Sequence, residues 1–214
     1  SNKISSLPTE IGKLVHLTLL DVGKNKITQI PVEIAQLKAL KEFNLQYNQV
    51  GALPPEIGQL TNLTNMNLYI NKLKDLPKEL EQLVNLDQLD LAHNCLSTLP
   101  PLLGSVCNLS SLNLVGNAFS SLPTELFKLT NLTRLDLRCN KLTKIPPEVC
   151  ALKQLRGLLL RNNLLNAVPD EFGQLGSLQE LRMGQNQLSS LPDAFGQLEN
   201  LRVFFVYDNG LTNI

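Results

Sequence analysis

The chain has 214 residues, and its 19 basic side chains are balanced by 19 acidic ones. That neutrality excludes the overall positive field that draws a protein to nucleic acid or to an anionic membrane. No run of 18 or more apolar residues occurs, so no segment reads as a membrane-spanning helix, and the opening Ser1-Asn2-Lys3-Ile4 does not read as a signal peptide.

From the first residues onward the chain repeats itself. Asn2, Asn25, Asn48, Asn71, Asn94, Asn117, Asn140, Asn163, Asn186 and Asn209 stand 23 residues apart, and prolines from Pro8 and Pro31 to Pro192 keep the same step. A fixed period of this size marks a solenoid, in which each repeat stacks only on its neighbours. Residues 1–214 therefore read as a single domain of about nine repeats.

The elements of one repeat follow in order, taking the third as the example. Leu63, Met66, Leu68, Leu73 and Leu76 are apolar in nearly every repeat. Met66 and Leu68 lie two apart, so they point to one side of a short strand and Asn65, Asn67 and Tyr69 to the other. Asn71 then turns the chain into the core, where its amide is expected to bond the turn of its own repeat and of the next. Pro77 forces Leu76 to be extended and is expected to supply the first residue of a short α- or 3₁₀-turn. Glutamate follows two residues after the proline in seven of nine repeats, where a helix start favours negative charge. Leu80 and Leu83, three apart, share one helical face.

The phrase L-x-x-L-x-L-x-x-N-x-L-x-x-L-P-x-E-[IL]-x-x-L resembles the leucine-rich repeat in its 23-residue intracellular form. The whole chain carries it. The resemblance implies an α/β solenoid, with a curved parallel sheet on the concave face and short α/3₁₀ turns on the convex one. Its relatives include Ras-linked scaffolds, plant intracellular Ras-group repeat proteins, Scribble-like polarity scaffolds and Roco kinases. It implies a non-catalytic module for protein–protein interaction in intracellular signalling, cytoplasmic and without a cofactor. A small GTPase, phosphatase or kinase is the partner it suggests. The alternatives are a recognition ectodomain or secreted effector, and a non-catalytic domain of a larger enzyme such as a Roco-type kinase.

Core positions hardly change along the chain, whereas the outward strand positions change freely, which marks the concave face as the binding surface. Three groups stand out there. All six arginines fall in the last four strand segments, and Arg134, Arg138, Arg161 and Arg182 are expected to face the concavity. They offer planar forks for a carboxylate or phosphate, or else they pair with Asp136 and Glu180. Leu159, Val203, Phe205 and Tyr207 put apolar bulk on the outward side, as an interface does unless further sequence covers it. Tyr47, Tyr69 and Ile70 make a smaller group, either a partner anchor or a packing cluster.

Little points to chemistry. Neither G-x-x-x-x-G-K-[ST] nor G-x-G-x-x-G occurs. His93 and Cys139 are two repeats apart, too far for one zinc ion, and Asp21, Asp90 and Asp136 are three and then two repeats apart, too far to share a proton or a Ca²⁺. Cys95, Cys107, Cys139 and Cys150 contain no CxxC pair and read as free thiols of a reducing compartment. The chain begins on one ladder asparagine and stops at Ile214, five residues past another, with no polar capping repeat. It is therefore expected to be a fragment, or to have its ends covered, and to expose apolar core side chains there.

Overall fold

The computed structural model describes residues 2–100, 106 and 108–212. Cys107 and Ile214 lie outside these. Within them the chain forms nine three-residue strands: β1 (Leu19–Asp21), β2 (Glu42–Asn44), β3 (Asn65–Asn67), β4 (Gln88–Asp90), β5 (Ser111–Asn113), β6 (Arg134–Asp136), β7 (Gly157–Leu159), β8 (Glu180–Arg182) and β9 (Val203–Phe205). They lie in sequence order in one open parallel sheet. The register advances by one repeat per strand, so Leu20 stands beside Phe43 and Phe43 beside Met66. The period-two alternation sends the middle residue of each strand inward. From Phe43 to Leu181 these middle residues are buried, and Leu45, Leu68, Leu91 and Leu114 continue the same face.

The opposite side is built from five-residue 3₁₀-turns, among them Thr9–Lys13, Val32–Gln36, Lys78–Gln82 and Asp193–Gln197. Here the structure corrects the expected role of the proline. Pro8, Pro31 and Pro77 sit one residue before the turn, with φ near −70° and extended ψ: Pro77, for example, has φ −66° and ψ 143°. The ring sets φ, and the proline carbonyl accepts the first turn bond, from Ile11 N–H at 3.1 Å in the first repeat. Where a second proline follows, as Pro55 and Pro147, that one takes the first helical position. Three residues per turn eclipse positions i and i+3. Leu80 and Leu83 therefore enter the core together, both fully buried.

The core is one continuous apolar rod between these two sides. At its ends core-type side chains stand half-exposed. Leu14 is exposed and Leu7, Ile11 and Leu17 are only partly buried in the first repeat, and Leu191, Phe195, Leu201 and Phe204 are only partly buried in the last.

The ladder asparagines close the turns, but toward the preceding repeat and not the next. Asn48 Oδ1 accepts from Ile27 N–H at 2.9 Å, and its Nδ2 donates to Val22 O at 3.0 Å. Both partners belong to the repeat before. Within its own repeat Nδ2 also donates to Leu45 O at 2.9 Å. Ile27 lies two residues past the preceding ladder position, so each amide ties the exit of one repeat to the turn of the following one. The pattern recurs at Asn71, Asn94, Asn117, Asn140, Asn163, Asn186 and Asn209.

The residue before each of these asparagines adopts a left-handed backbone. Lys24, Tyr47, Ile70, His93, Cys139, Asn162, Gln185 and Asp208 have φ between 51° and 58°, and Gly116 has φ 64°. Only one glycine betrays this position in the sequence. Left-handed geometry costs an L-residue about 1–2 kcal/mol, and the β-branched Ile70 is the least suited of the nine. Asn tolerates it and already occupies the equivalent position at Asn162. Ile70→Asn is expected to stabilise the protein by about 1 kcal/mol, seen as a rise in Tm of roughly 2–4 °C. An unchanged or lower Tm would show that the ladder relieves the strain in some other way.

Candidate functional site

The sheet face turned away from the core divides into two parts. Along β1 to β6 the residue four before each ladder asparagine is Asp21, Asn44, Asn67, Asp90, Asn113 and Asp136. In each, the side-chain Oδ1 accepts from the backbone N–H two residues on, at 2.9–3.2 Å: Gly23, Gln46, Tyr69, Ala92, Val115 and Arg138. This is an Asx turn repeated six times. The expectation that the outward positions change freely is thus wrong for this column. Asp and Asn both offer a short acceptor at that reach, and the alternation between them hid the rule.

At β7 the column changes to Leu159, Arg182 and Phe205, none of which can make the bond. Among the described residues the backbone N–H groups of Arg161, Gly184 and Tyr207 accordingly have no acceptor. The same three residues, with Arg138, Arg182 and Phe205, line a notch of about 110 Å³. A wider polar groove of about 370 Å³ runs over β2 to β6, past Asn44, Asn67, Asp90 and Asn113.

All four expected arginines reach the open face around the notch, and three of them are paired there. Arg138 forks onto Asp136, Nε to Oδ1 at 2.9 Å and Nη2 to Oδ2 at 2.7 Å. Arg182 Nε and Arg134 Nη1 both bond Glu180, the latter at 3.2 Å across the intervening strand β7. Gly157 lies beneath that bridge: a Cβ there would stand 3.4 Å from Arg134 Nη1. Arg161 Nε donates instead to the Gln185 amide at 2.9 Å. The aromatic pair completes the notch. Arg182 lies over the Phe205 ring at 5.0 Å and Arg161 over Tyr207 at 5.7 Å, with the two rings edge-to-face at 6.3 Å. Tyr207 leans across Gly184, where a Cβ would meet its ring at 2.9 Å.

The expectation for Leu159 does not hold. It occupies the outward column but is only 2% exposed. Its register neighbours are Asp136 and Arg182, and the long side chains around it roof it over. The exposed apolar side chains here are Phe205 and Tyr207, at 43% and 45%, and Val203 beside them is half-buried. Tyr47 and Tyr69 do come together in the other part of the face. Their rings meet edge-to-face at 5.2 Å, His93 joins Tyr69 at 5.4 Å, and Lys24 stands 5.9 Å from the Tyr47 ring. The sequence reading placed Phe205 with Tyr207 and Tyr47 with Tyr69, as their ring contacts show. It missed Gly184, Gly157 and Gln185, whose roles depend on cross-strand neighbours.

Two carboxyls titrate unusually. Burial pushes Asp90 above the ordinary carboxylate range, against the hydrogen bonds it accepts from Ala92 and Asn113, and nearby Asp136 adds to the rise. Burial is also the largest single influence on Glu180, but Arg182 and Arg134 together outweigh it and hold that carboxyl low. Among the described residues no three His, Cys, Asp or Glu side chains gather closely enough to hold a metal ion.

A model of the leucine-rich repeat region matches residues 1–115 and 101–210. No curated protein sequence matches the chain. Among solved structures, one similar protein is the leucine-rich repeat ectodomain of the plant membrane receptor kinase GASSHO1/SCHENGEN3 from Arabidopsis thaliana, in complex with CASPARIAN STRIP INTEGRITY FACTOR 2. It is 33% identical, over 97% of this chain and 26% of that one, with a TM-score of 0.83. The Toll–Spatzle complex of Drosophila matches at 27% identity over 97% of this chain and 30% of that one, with a TM-score of 0.87. The leucine-rich repeat domain of the type III effector XopL matches at 27% identity, over 95% of this chain and 73% of that one, with a TM-score of 0.86. The chain thus spans less than a third of the first two.

Asp90 gives the face a pH signature. A carboxyl whose pKa is raised by folding contributes stability that is complete below its unfolded value and is lost as the pH rises through the folded one. Asp90→Asn keeps the acceptor for Ala92 N–H, as Asn67 does for Tyr69, and removes the ionisation. The variant also loses the acceptor for Asn113 Nδ2, a cost that is the same at every pH. In denaturant unfolding the stability of the variant relative to the wild type should therefore rise between about pH 3, below the ordinary value of 3.8, and pH 7. A difference that does not change with pH would contradict the burial argument.

Proposed function

The chain belongs to the leucine-rich repeat family, and from that membership we propose that it is a protein-binding solenoid that grips its partner on the open face of β6 to β9. One observation carries the choice of end: two exposed aromatic rings, Phe205 and Tyr207, stacked beside a group of arginines. An apolar centre with charged groups around it is what a specific interface needs, the first for affinity and the second for orientation and association rate. The pairing of Arg134, Arg138 and Arg182 with Asp136 and Glu180 does not remove this role. It holds the forks in place, so less side-chain freedom is lost on binding.

The module itself is non-catalytic on this reading and works as an intracellular scaffold or adaptor of the 23-residue type. Its partner is a folded signalling protein such as a small GTPase, phosphatase or kinase. The free thiols of Cys95, Cys139 and Cys150 support a reducing compartment. A second reading, as a recognition ectodomain or an effector, is supported by the similarity to a plant receptor ectodomain and to a type III effector domain.

The test uses a partner recovered by affinity capture and then measured as a pure protein. Truncating Arg161 or Phe205 to Ala should each weaken binding by more than about 1 kcal/mol, the threshold of a hot spot. Asn44→Ala should change it little, and added salt should slow association. A footprint confined to the 3₁₀ side or to β1 to β4 would refute the assignment.

A further inference from the structure

The six Asx turns of β1 to β6 are a template for what the notch lacks. In each of them an oxygen from the chain's own side chain caps the N–H two residues before the ladder asparagine. In the last three repeats the cap is gone, and the uncapped N–H groups of Arg161, Gly184 and Tyr207 fall on residues that line the notch. The guanidiniums have donors to spare as well. Among the described residues Arg138 uses only Nε and Nη2, and Arg161 and Arg182 use only Nε. Five Nη nitrogens around one small concavity therefore have no protein acceptor. Four arginines face two paired carboxylates there, Asp136 and Glu180, so the local balance is positive.

From this donor surplus we infer that the notch receives the carboxylate of an acidic side chain of the partner, which takes the place of the missing Asx oxygen. This deepens the protein-binding reading and rests on it. A carboxylate has about four lone-pair directions and can accept from backbone N–H and guanidinium together. The template supports it directly, because the groups that cap this N–H at Asp21, Asp90 and Asp136 are themselves carboxylates. Gly184 matters because the Tyr207 ring lies against it, so that a Cβ there would push the ring out of place. The Phe205 and Tyr207 rings form its apolar wall, so the residue next to the partner's acid is apolar.

The Leu159 side chain explains why the chain cannot close the gap itself. It stands where an acceptor would cap Arg161 N–H, it is buried, and it carries no polar atom. The notch has the Phe205 and Tyr207 rings on one side and the guanidinium donors on the other. In such surroundings a charged hydrogen bond is stronger than in water.

The probe is a blocked tetrapeptide, acetyl-Gly-Glu-Leu-Gly-amide, titrated into the 15N-labelled protein and followed by NMR. Blocking both ends removes the terminal carboxylate as a source. The expected result is a downfield shift of the Gly184 amide proton with shifts at Arg161 and Arg182 Nε. Replacing Glu by Gln in the peptide, or Arg161 by Gln in the protein, should weaken binding by roughly tenfold or more, equivalent to about 1.4 kcal/mol. Arg156→Gln, outside the notch, should not. Equal affinity of the Glu and Gln peptides, shifts confined to β1 to β5, or no binding to the notch would each overturn the inference. So would a preference for a phosphoserine peptide over Glu, which would assign the notch to phosphate. None of these outcomes bears on the protein-binding reading, which is judged by the footprint of the captured partner.

Discussion

The side-chain amide of the ladder asparagine is the constraint on which the rest of this structure depends. It is the point where the chain leaves each strand and turns inward, and a buried turn must find partners for its backbone groups. One amide supplies an acceptor and two donors, and here it spends them on two successive repeats. The repeats are thereby locked at a single spacing. Strands of only three residues have few ladder bonds of their own, so this side-chain lock stands in for strand length. It also explains why the residue before each asparagine can be held in left-handed geometry whatever its identity, Ile70 included.

That lock shapes the outer face. Because the strands are short and kept in register, each open-face position becomes a column, and a column can carry one repeated interaction. From β1 to β6 the column four before the asparagine is occupied by Asp or Asn, each closing the backbone beside it. From β7 onward it is not. The same part of the sheet holds the arginines and the exposed rings. The face thus combines a self-satisfied part with an unsatisfied one, and donors left over in a folded protein are where a ligand can gain most.

Much of this was legible in the sequence. The period of Asn71 and its equivalents gave the solenoid, Met66 and Leu68 gave the inward face, and the positions of Arg138, Arg161, Phe205 and Tyr207 gave the cluster. What was not legible depended on distance across strands. Leu159 looked exposed because its column faces outward, but burial there is decided by how far its neighbours reach over it. The Asx column looked variable because Asp and Asn are different letters with the same acceptor. The left-handed position is invisible in eight of nine repeats because the backbone, tied down by the next residue, tolerates lysine, tyrosine and histidine alike. The direction of the ladder, toward the preceding repeat, cannot be read from an amide whose chemistry suits either neighbour.

Native-state hydrogen exchange tests the ladder most directly. The amide protons of Ile27, Val50, Leu73, Phe119 and Leu142 each donate to a ladder oxygen of the following repeat, at 2.9–3.1 Å. If the asparagines lock the array, these protons exchange only through the largest opening available to the protein, with the same free energy as the strand amides of Phe43 to Leu181. If they exchange through small local openings while the strands stay protected, the amides are passengers and the apolar core alone sets the spacing.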